Sequence, residues 1–167
     1  MLKPQDILVC LDVALHDDRR SYAAIAAHLH MSVGAAHAAI QRSIEAQLLD
    51  EAGRPIVPNL LEFIVYGARY AFFTKLGRVT RGVPTGVAAP HVQDWITGHQ
   101  ESIWVWPDPH GSVRGQSVEP LFPTVPQTAM ECEGLHLSLA MVDLLRVGSA
   151  RQRAVAVDAL ERQLRRN

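Results

Sequence analysis

Apolar side chains recur at every third or fourth position along the first 73 residues, a spacing that places them on one face of an α-helix. Serines stand directly before two of these stretches, where a hydroxyl can accept an amide hydrogen from the first helical turn. Glu51-Ala52-Gly53 separates two short segments, and the stretch from Asp50 to Val57 therefore predicts a very short β-hairpin. The predicted helices run from about Pro4 to His16, from Ser21 to about Leu29, from Ser32 to about Leu48 and from Asn59 to about Phe73.

Residues 74–127 contain seven of the ten prolines of the chain. Each proline removes a backbone donor and crowds the preceding helical turn, so this region is not expected to form long helices. Two strand-like segments within it, 102–106 and 113–118, are separated by a stretch that contains Pro107, Asp108 and Gly111. These residue types favour a chain reversal, and the region therefore predicts a Pro/Gly-rich loop followed by a β-hairpin.

Helical spacing returns after residue 127 and predicts C-terminal helices, the last of them from Gly148 to Asn167. This last helix carries a narrow apolar seam of Val157, Leu160 and Leu164. Such a seam close to a chain terminus is a candidate dimerisation interface, and packing onto the same chain is the alternative. The broad apolar face of the predicted helix 59–73 is a second candidate interface.

The composition is that of a globular protein, with 48% hydrophobic and 20% charged residues. Sixteen Lys and Arg against 17 Asp and Glu give a net charge of −1, so the chain as a whole is not a polybasic binder of nucleic acid or membranes. No apolar run approaches the roughly 20 residues needed to span a bilayer. The two cysteines, Cys10 and Cys132, lie far apart without CxxC spacing, which predicts neither a disulfide framework nor a thiolate zinc site. A cytoplasmic location is expected.

Residues 21–48 have the arrangement of a helix-turn-helix. A small residue, Ala26, stands where the two helices would cross, and Leu29 and Met31 close the turn between them. The second helix then presents short or hydrogen-bonding side chains outward, so that its N-terminal end can enter a major groove. We expect these side chains to contact DNA: Ser32, Gly34, Ala35, Ala38, Gln41 and Arg42.

Over about residues 4–60 the chain resembles the winged helix-turn-helix regulators of bacteria, in the broad MarR-like sense. The resemblance lies in Met31-Ser32-Val33, in Ile40 and Ile44, and in Gln47-Leu48-Leu49 at the junction with the wing. It implies a recognition helix followed by a hairpin wing, in which Arg54 would contact DNA, and it implies a dimer bound to double-stranded DNA. An ordinary helical bundle is the alternative reading of the same residues.

The predicted fold class is mainly α with small β elements, and the chain divides into three parts. Residues 1–73 form the winged helix-turn-helix domain with its following helix. Residues 74–127 form the Pro/Gly-rich loop and β-hairpin region. Residues 128–167 form C-terminal helices, a candidate dimerisation element.

Charge is unevenly distributed along the chain. Residues 1–60 contain five basic and seven acidic side chains, a net charge of −2 that disfavours phosphate binding by this part alone. No acidic residue occurs between Glu62 and Asp94, and this stretch carries a basic strip of Arg69, Lys75, Arg78 and Arg81. The strip either contacts phosphates or a partner, or is a solvated loop.

The sequence predicts no enzyme, no cofactor and no metal. It contains no GxSxG, P-loop or Rossmann glycine pattern. The eight histidines show no HExxH spacing. Trp104, Trp106 and Phe122 either line a shallow groove or, as we favour, form the core of a small sheet.

These features predict a sequence-specific DNA-binding transcriptional regulator that acts as a homodimer, either a repressor or an antitoxin-like autoregulator. The alternative, from a different class, is an adaptor whose winged helix binds a partner protein.

Overall fold

The computed structural model describes residues 1–16, 19–92, 95–96 and 102–165, and it is mainly helical with one small sheet. The N-terminal helices are α1 (Pro4–Leu15), α2 (Tyr22–His28) and α3 (Val33–Glu45). Ser21 and Ser32 cap α2 and α3, because each hydroxyl accepts a hydrogen bond of 3.1 Å from the amide three residues later. The predicted helices of this region and both of their caps are confirmed.

The predicted helix from Asn59 to Phe73 is present but not regular. It begins two residues earlier, as α4 (Val57–Glu62), because Pro58 suits the first helical turn. A π-helical turn follows over Phe63–Gly67, and the helix resumes as α5 (Ala68–Ala71). Leu60, Ile64 and Ala68 are fully buried, as a central helix requires.

The middle region forms a closed three-stranded barrel of β1 (Val79–Thr85), β2 (Trp104–Pro107) and β3 (Val113–Ser117). A single 3₁₀ turn, Gly86–Ala88, follows β1. Both β2 and β3 pair antiparallel with β1, and they run parallel to each other. The strands predicted at 102–106 and 113–118 therefore exist, but the predicted β-hairpin between them is wrong. The predicted loop after residue 74 is also wrong over the length of β1.

Gly82 explains this topology. It is the one position of β1 whose backbone faces both Pro107 of β2 and Val113 of β3. A Cβ atom at Gly82 would overlap the Trp106 carbonyl, and one at Gly111 would overlap the backbone of Gly82. Because these two glycines lack side chains, the turn after β2 can pass close to β1 at the position where the pairing with β2 and the pairing with β3 meet.

The C-terminal helices are α6 (Val125–Glu131), α7 (Glu133–Val147) and α8 (Ala150–Arg165). Helix α7 packs against α1, α5, α6, α8 and β1, and it is the centre of the fold. Leu160 and Leu164 of α8 are 0% and 1% exposed within the single chain. The C-terminal seam is therefore filled by this chain's own residues, and it is not the free dimerisation face that the sequence suggested.

Among the described residues, no single helix has the length and apolar character to cross a membrane. The bent pair α2–α3 has the required length and apolar composition only when its two helices are counted together.

Candidate nucleic-acid interface

Helices α2 and α3 meet at the angle of a helix-turn-helix. The chain turns by 108° across the short break between them, within the range of about 90–120° typical of that motif. The Met31 amide donates to the Ala26 carbonyl at 3.0 Å and fixes the turn, while Leu29 is fully buried beneath it. Helix α3 also packs against α1, so its orientation is set by two neighbouring helices.

The N-terminal half of α3 presents small side chains to solvent. Gly34 is exposed, Ala35 and Ala38 are half-buried, and Gln41 is exposed one turn further on. The exposed Ser32 uses its hydroxyl as the helix cap. His37 is also exposed and packs edge-on against the Tyr22 ring, with 4.8 Å between ring centroids.

Arg42 does not lie on this outward face. Its guanidinium binds the Asp6 carboxylate of α1 through two hydrogen bonds, of 2.9 Å from Nε and 2.6 Å from Nη2. The hydrogen bond to Asp6 also raises the pKa of Arg42. Asp6 is 1% exposed, so this pair attaches α3 to α1. The expected DNA contact of Arg42 is therefore replaced by a role in positioning the helix.

The short segment after α3 forms a single β-bridge between Leu49 and Pro55. Asp50 stabilises its turn by accepting from the Ala52 and Arg54 amides at 2.9 and 2.8 Å. The hydrogen bond from the Arg54 amide is the main cause of the lowered pKa of Asp50. The Arg54 side chain is 78% exposed and pairs with Asp50 at 3.0 Å, so it extends from the turn while already holding a carboxylate.

A groove of about 880 Å³ lies between α1, the α2–α3 unit and this turn. Apolar side chains of α2 and α3, among them Ile25, Ile40 and Ile44, form part of its wall. Gln41 and Arg54 border the same groove. The groove therefore connects the two places at which the sequence predicted DNA contacts.

The basic strip extends from α5 through the segment after it to β1, with Lys75 and Arg78 between the two elements. Arg69 stacks over the Tyr70 ring at 5.2 Å, and Lys75, Arg78 and Arg81 are exposed. Arg114 of β3 stands directly across from Arg81 of β1 and is also exposed. Arg114 could not be recognised from the sequence, because its neighbour Arg81 lies 33 positions away along the chain and only the strand pairing of the barrel brings the two together.

Like charges in directly opposed strand positions repel each other unless an anion lies between them. Within the described ranges, Lys75, Arg78, Arg81 and Arg114 form no ion pair with an acidic side chain. β1 packs against α6 and α7, whereas α3 packs against α1 and α2. β1 and α3 thus pack against different helices of the fold.

Three large aromatic side chains are exposed between the π-helical turn and the segment just after α5. Tyr66, Tyr70 and Phe73 are 73%, 71% and 70% exposed. They lie within eight residues of one another and are together called the aromatic surface. By contrast, Trp104 and Trp106 are buried, which confirms their assignment to the core of the small sheet.

Among the residues that the structure describes, one group of side chains has the chemistry of metal ligands. His16, His28 and Cys132 each offer one ligand atom, and these atoms all lie within 4.8 Å of one another. This group could not be recognised from sequence spacing, because its members are scattered over more than a hundred residues.

Comparison with known proteins identifies no relative: no family model, no curated protein and no solved structure matches this chain.

Proposed function

We propose that this chain is a DNA-binding protein that inserts the N-terminal end of α3 into a major groove. The observation that carries the proposal is the row of small residues on α3, with Gly34 exposed and Ala35 and Ala38 half-buried, which follows a turn of 108° from α2. Small side chains allow the backbone of a recognition helix to approach base edges closely. The helix is held in place by two neighbours, as precise readout requires.

Gln41 is the best candidate for base recognition. It is exposed, one turn beyond Ala38, and its amide can both donate to and accept from an adenine edge. His37 lies on the same helix, is exposed, and is a second hydrogen-bonding group of this surface. Arg42 supports the contact indirectly, because its ion pair with Asp6 positions α3.

The phosphate contacts are assigned to cations that have no acidic partner among the described residues. These are Lys75, Arg78, Arg81 and Arg114. Arg81 and Arg114 lie on the barrel, and Lys75 and Arg78 lie just before β1, so the proposal requires DNA that extends past α3 to reach them. Each phosphate contact should contribute somewhat less than one unit to the slope of log affinity against log salt.

A dimer fits this proposal, because two recognition helices in successive major grooves need a protein two-fold axis. The buried seam on α8 leaves the aromatic surface of Tyr66, Tyr70 and Phe73 as the candidate interface. A dimer bound in this way would act as a repressor, or as an antitoxin-like autoregulator, by covering promoter DNA in the bacterial cytoplasm.

The proposal is tested by selecting tight-binding duplexes from a random library with the purified full chain. Gln41→Ala should then weaken binding to the selected duplex by about 1–3 kcal/mol, because one base-reading side chain is lost. The matched control is Gln127→Ala, which removes an exposed glutamine of α6. Equal affinities for both variants, or no enrichment of any duplex, would contradict the proposal.

The same aromatic surface favours the alternative function, that of a protein-binding adaptor. Three aromatic side chains exposed by 70% or more within eight residues are typical of interaction sites. The two functions differ in salt dependence, because an aromatic interface changes little with salt whereas phosphate contacts weaken strongly. An absence of DNA binding even at low salt would favour the adaptor.

A further inference from the structure

His16, His28 and Cys132 come from three separate parts of the fold. His16 directly follows α1, His28 is the last residue of α2, and Cys132 separates α6 from α7. Their candidate ligand atoms lie within 4.8 Å of one another. All three residues are partly exposed, so an ion from solvent can reach them.

The two imidazoles are oriented by the same residue, Asp12. His16 Nδ1 lies 2.8 Å from the Asp12 backbone carbonyl oxygen, and His28 Nδ1 lies 2.7 Å from the Asp12 carboxylate. Arg20 Nη1 also lies 3.4 Å from His28 Nδ1, but the oxygen acceptors are much closer and require a hydrogen on each Nδ1, so the lone pair of each neutral ring is on Nε2. Both histidines therefore have one nitrogen held by the protein and one available to a ligand.

Asp12 is itself firmly held. It is completely buried, and Arg20 binds its second carboxylate oxygen. Histidines that bind metals nearly always donate their other ring N–H to a carboxylate or a backbone carbonyl, which fixes the ring and makes it a better ligand. This structure has that arrangement twice, with both acceptors supplied by one buried residue. The two rings are therefore oriented as metal-binding histidines are. Two histidines that only lie close together would not need this arrangement.

We propose that His16, His28 and Cys132 bind a divalent transition metal of the zinc class through the two Nε2 atoms and the Cys132 thiolate. Zn–N distances of about 2.0–2.1 Å and a Zn–S distance of about 2.3 Å place tetrahedral ligand atoms about 3.4–3.6 Å apart. Candidate ligand atoms of the three residues now lie within 4.8 Å of one another, so the side chains must rotate to bring the Nε2 atoms and the sulfur to these distances. The thiol proton is released to solvent as the metal–sulfur bond forms, and one coordination position stays open.

Such a metal would connect α1, α2 and the α6–α7 junction. Two polar contacts already join α6 to the turn after α2. At the end of α6, His30 Nε2 lies 2.6 Å from the Glu131 carboxylate, and just before α6 the Thr124 hydroxyl donates to the Leu29 carbonyl at 2.7 Å. The metal would add a coordinate link to them and should raise the melting temperature of the full chain. The inference does not depend on DNA binding.

Cobalt(II) is the direct probe, because a cobalt–thiolate bond produces a charge-transfer absorption band in the near ultraviolet. The purified, reduced and metal-free chain should bind one equivalent of Co²⁺ with this band, and Zn²⁺ should displace it. Cys132→Ser should abolish the band. It should also weaken Zn²⁺ binding by more than the loss of a residue that only orients a ligand, which costs about 10–100-fold. Cys10→Ala and His110→Ala are the matched controls and should retain the band, since Cys10 is buried elsewhere and His110 is a loop residue.

A second variant protects the test against misfolding. His28→Ala keeps the thiol, so it should retain the band only at higher Co²⁺ concentration, with at least a tenfold loss of affinity and an unchanged far-ultraviolet circular dichroism spectrum. The proposal is overturned if excess Co²⁺ produces no band, or if Cys132→Ser binds metal as the unmodified chain does. It is equally overturned if Cys10→Ala, and not Cys132→Ser, removes the band.

Discussion

Replacing Asp143 with alanine should remove the polar centre that connects the barrel to α7. The Asp143 carboxylate is 1% exposed and accepts hydrogen bonds from Thr85 Oγ1 and Trp106 Nε1, each at 2.7 Å. It also binds Arg146 Nη1 at 2.8 Å. Arg146 in turn donates to the Phe72 carbonyl at 2.8 Å, so the network extends from β1 and β2 to the end of α5.

The expected magnitude follows from what the variant leaves behind. Breaking a buried ion pair by removing one partner costs about 3–5 kcal/mol, because the other charge stays buried without compensation. The Arg146 side chain is 4% exposed, so in Asp143→Ala its guanidinium would be the charge that stays buried without an acidic partner. Thr85 and Trp106 would each lose a buried acceptor, at about 1–3 kcal/mol. Since these costs arise at one site and do not simply add, we expect a loss of about 4 kcal/mol in the free energy of unfolding.

Urea denaturation followed by tryptophan fluorescence measures this loss. The matched control is Asp158→Ala, which breaks the exposed pair of Asp158 with Arg162 at 2.9 Å on α8 and should cost less than about 1 kcal/mol. Asp143→Ala combined with Arg146→Met should be less destabilised than the two single variants predict together, because no unpaired charge remains. Equal stabilities of Asp143→Ala and Asp158→Ala would refute the reasoning.

Three further predictions concern buried groups. Burial lowers the pKa of His136, whose Nε2 donates to the Pro84 carbonyl at 2.7 Å. Its contribution to stability is therefore complete above its ordinary pKa of 6.5 and is lost as the pH falls below that value. His136→Gln keeps a hydrogen-bond donor and should flatten this part of the stability–pH curve. An unchanged curve would contradict the assignment. Burial also raises the pKa of Cys10 to about 12, so a thiol reagent should label Cys132 in the native chain and Cys10 only in denaturant; labelling of both at equal rates would contradict this. Leu164→Asp should lower the melting temperature in differential scanning calorimetry without separating subunits, because it places a charge in the core of this chain. A stably folded variant with altered sedimentation would instead show that Leu164 belongs to a dimer interface.

The N-terminal helices could be predicted because their signals are local. Ser21 and Ser32 stand where caps are needed, and apolar residues follow at helical spacing, so each helix is encoded within a few positions. The exposure of Gly34 and Gln41 follows from the same periodicity. Arg42 is different, because its partner Asp6 lies 36 residues away and helical spacing alone does not reveal it.

The barrel and the histidine–cysteine group could not be predicted, for the same reason. Pro84 and Gly82 within β1 make that segment resemble a loop, and the strand forms only because β2 and β3 both pair with it. A local pattern that predicted a hairpin could not include this distant third strand. Likewise, Cys132 lies near His16 and His28 because α6 packs beside the end of α2, a contact between distant parts of the chain.

The most direct test of the proposed function is to place a negative charge on the DNA-facing end of α3. A Cβ atom at Gly34 would meet nothing within 4 Å, so Gly34→Glu should fold normally, and an acidic side chain in the first turn of a helix is electrostatically favourable. The matched control, Ala154→Glu, adds the same charge at an exposed position of α8. The account predicts that Gly34→Glu lowers the affinity for the selected duplex at least about tenfold, equivalent to about 1.4 kcal/mol, while Ala154→Glu has little effect. Equal affinities of the two variants, with both folded, would contradict the placement of α3 in the major groove.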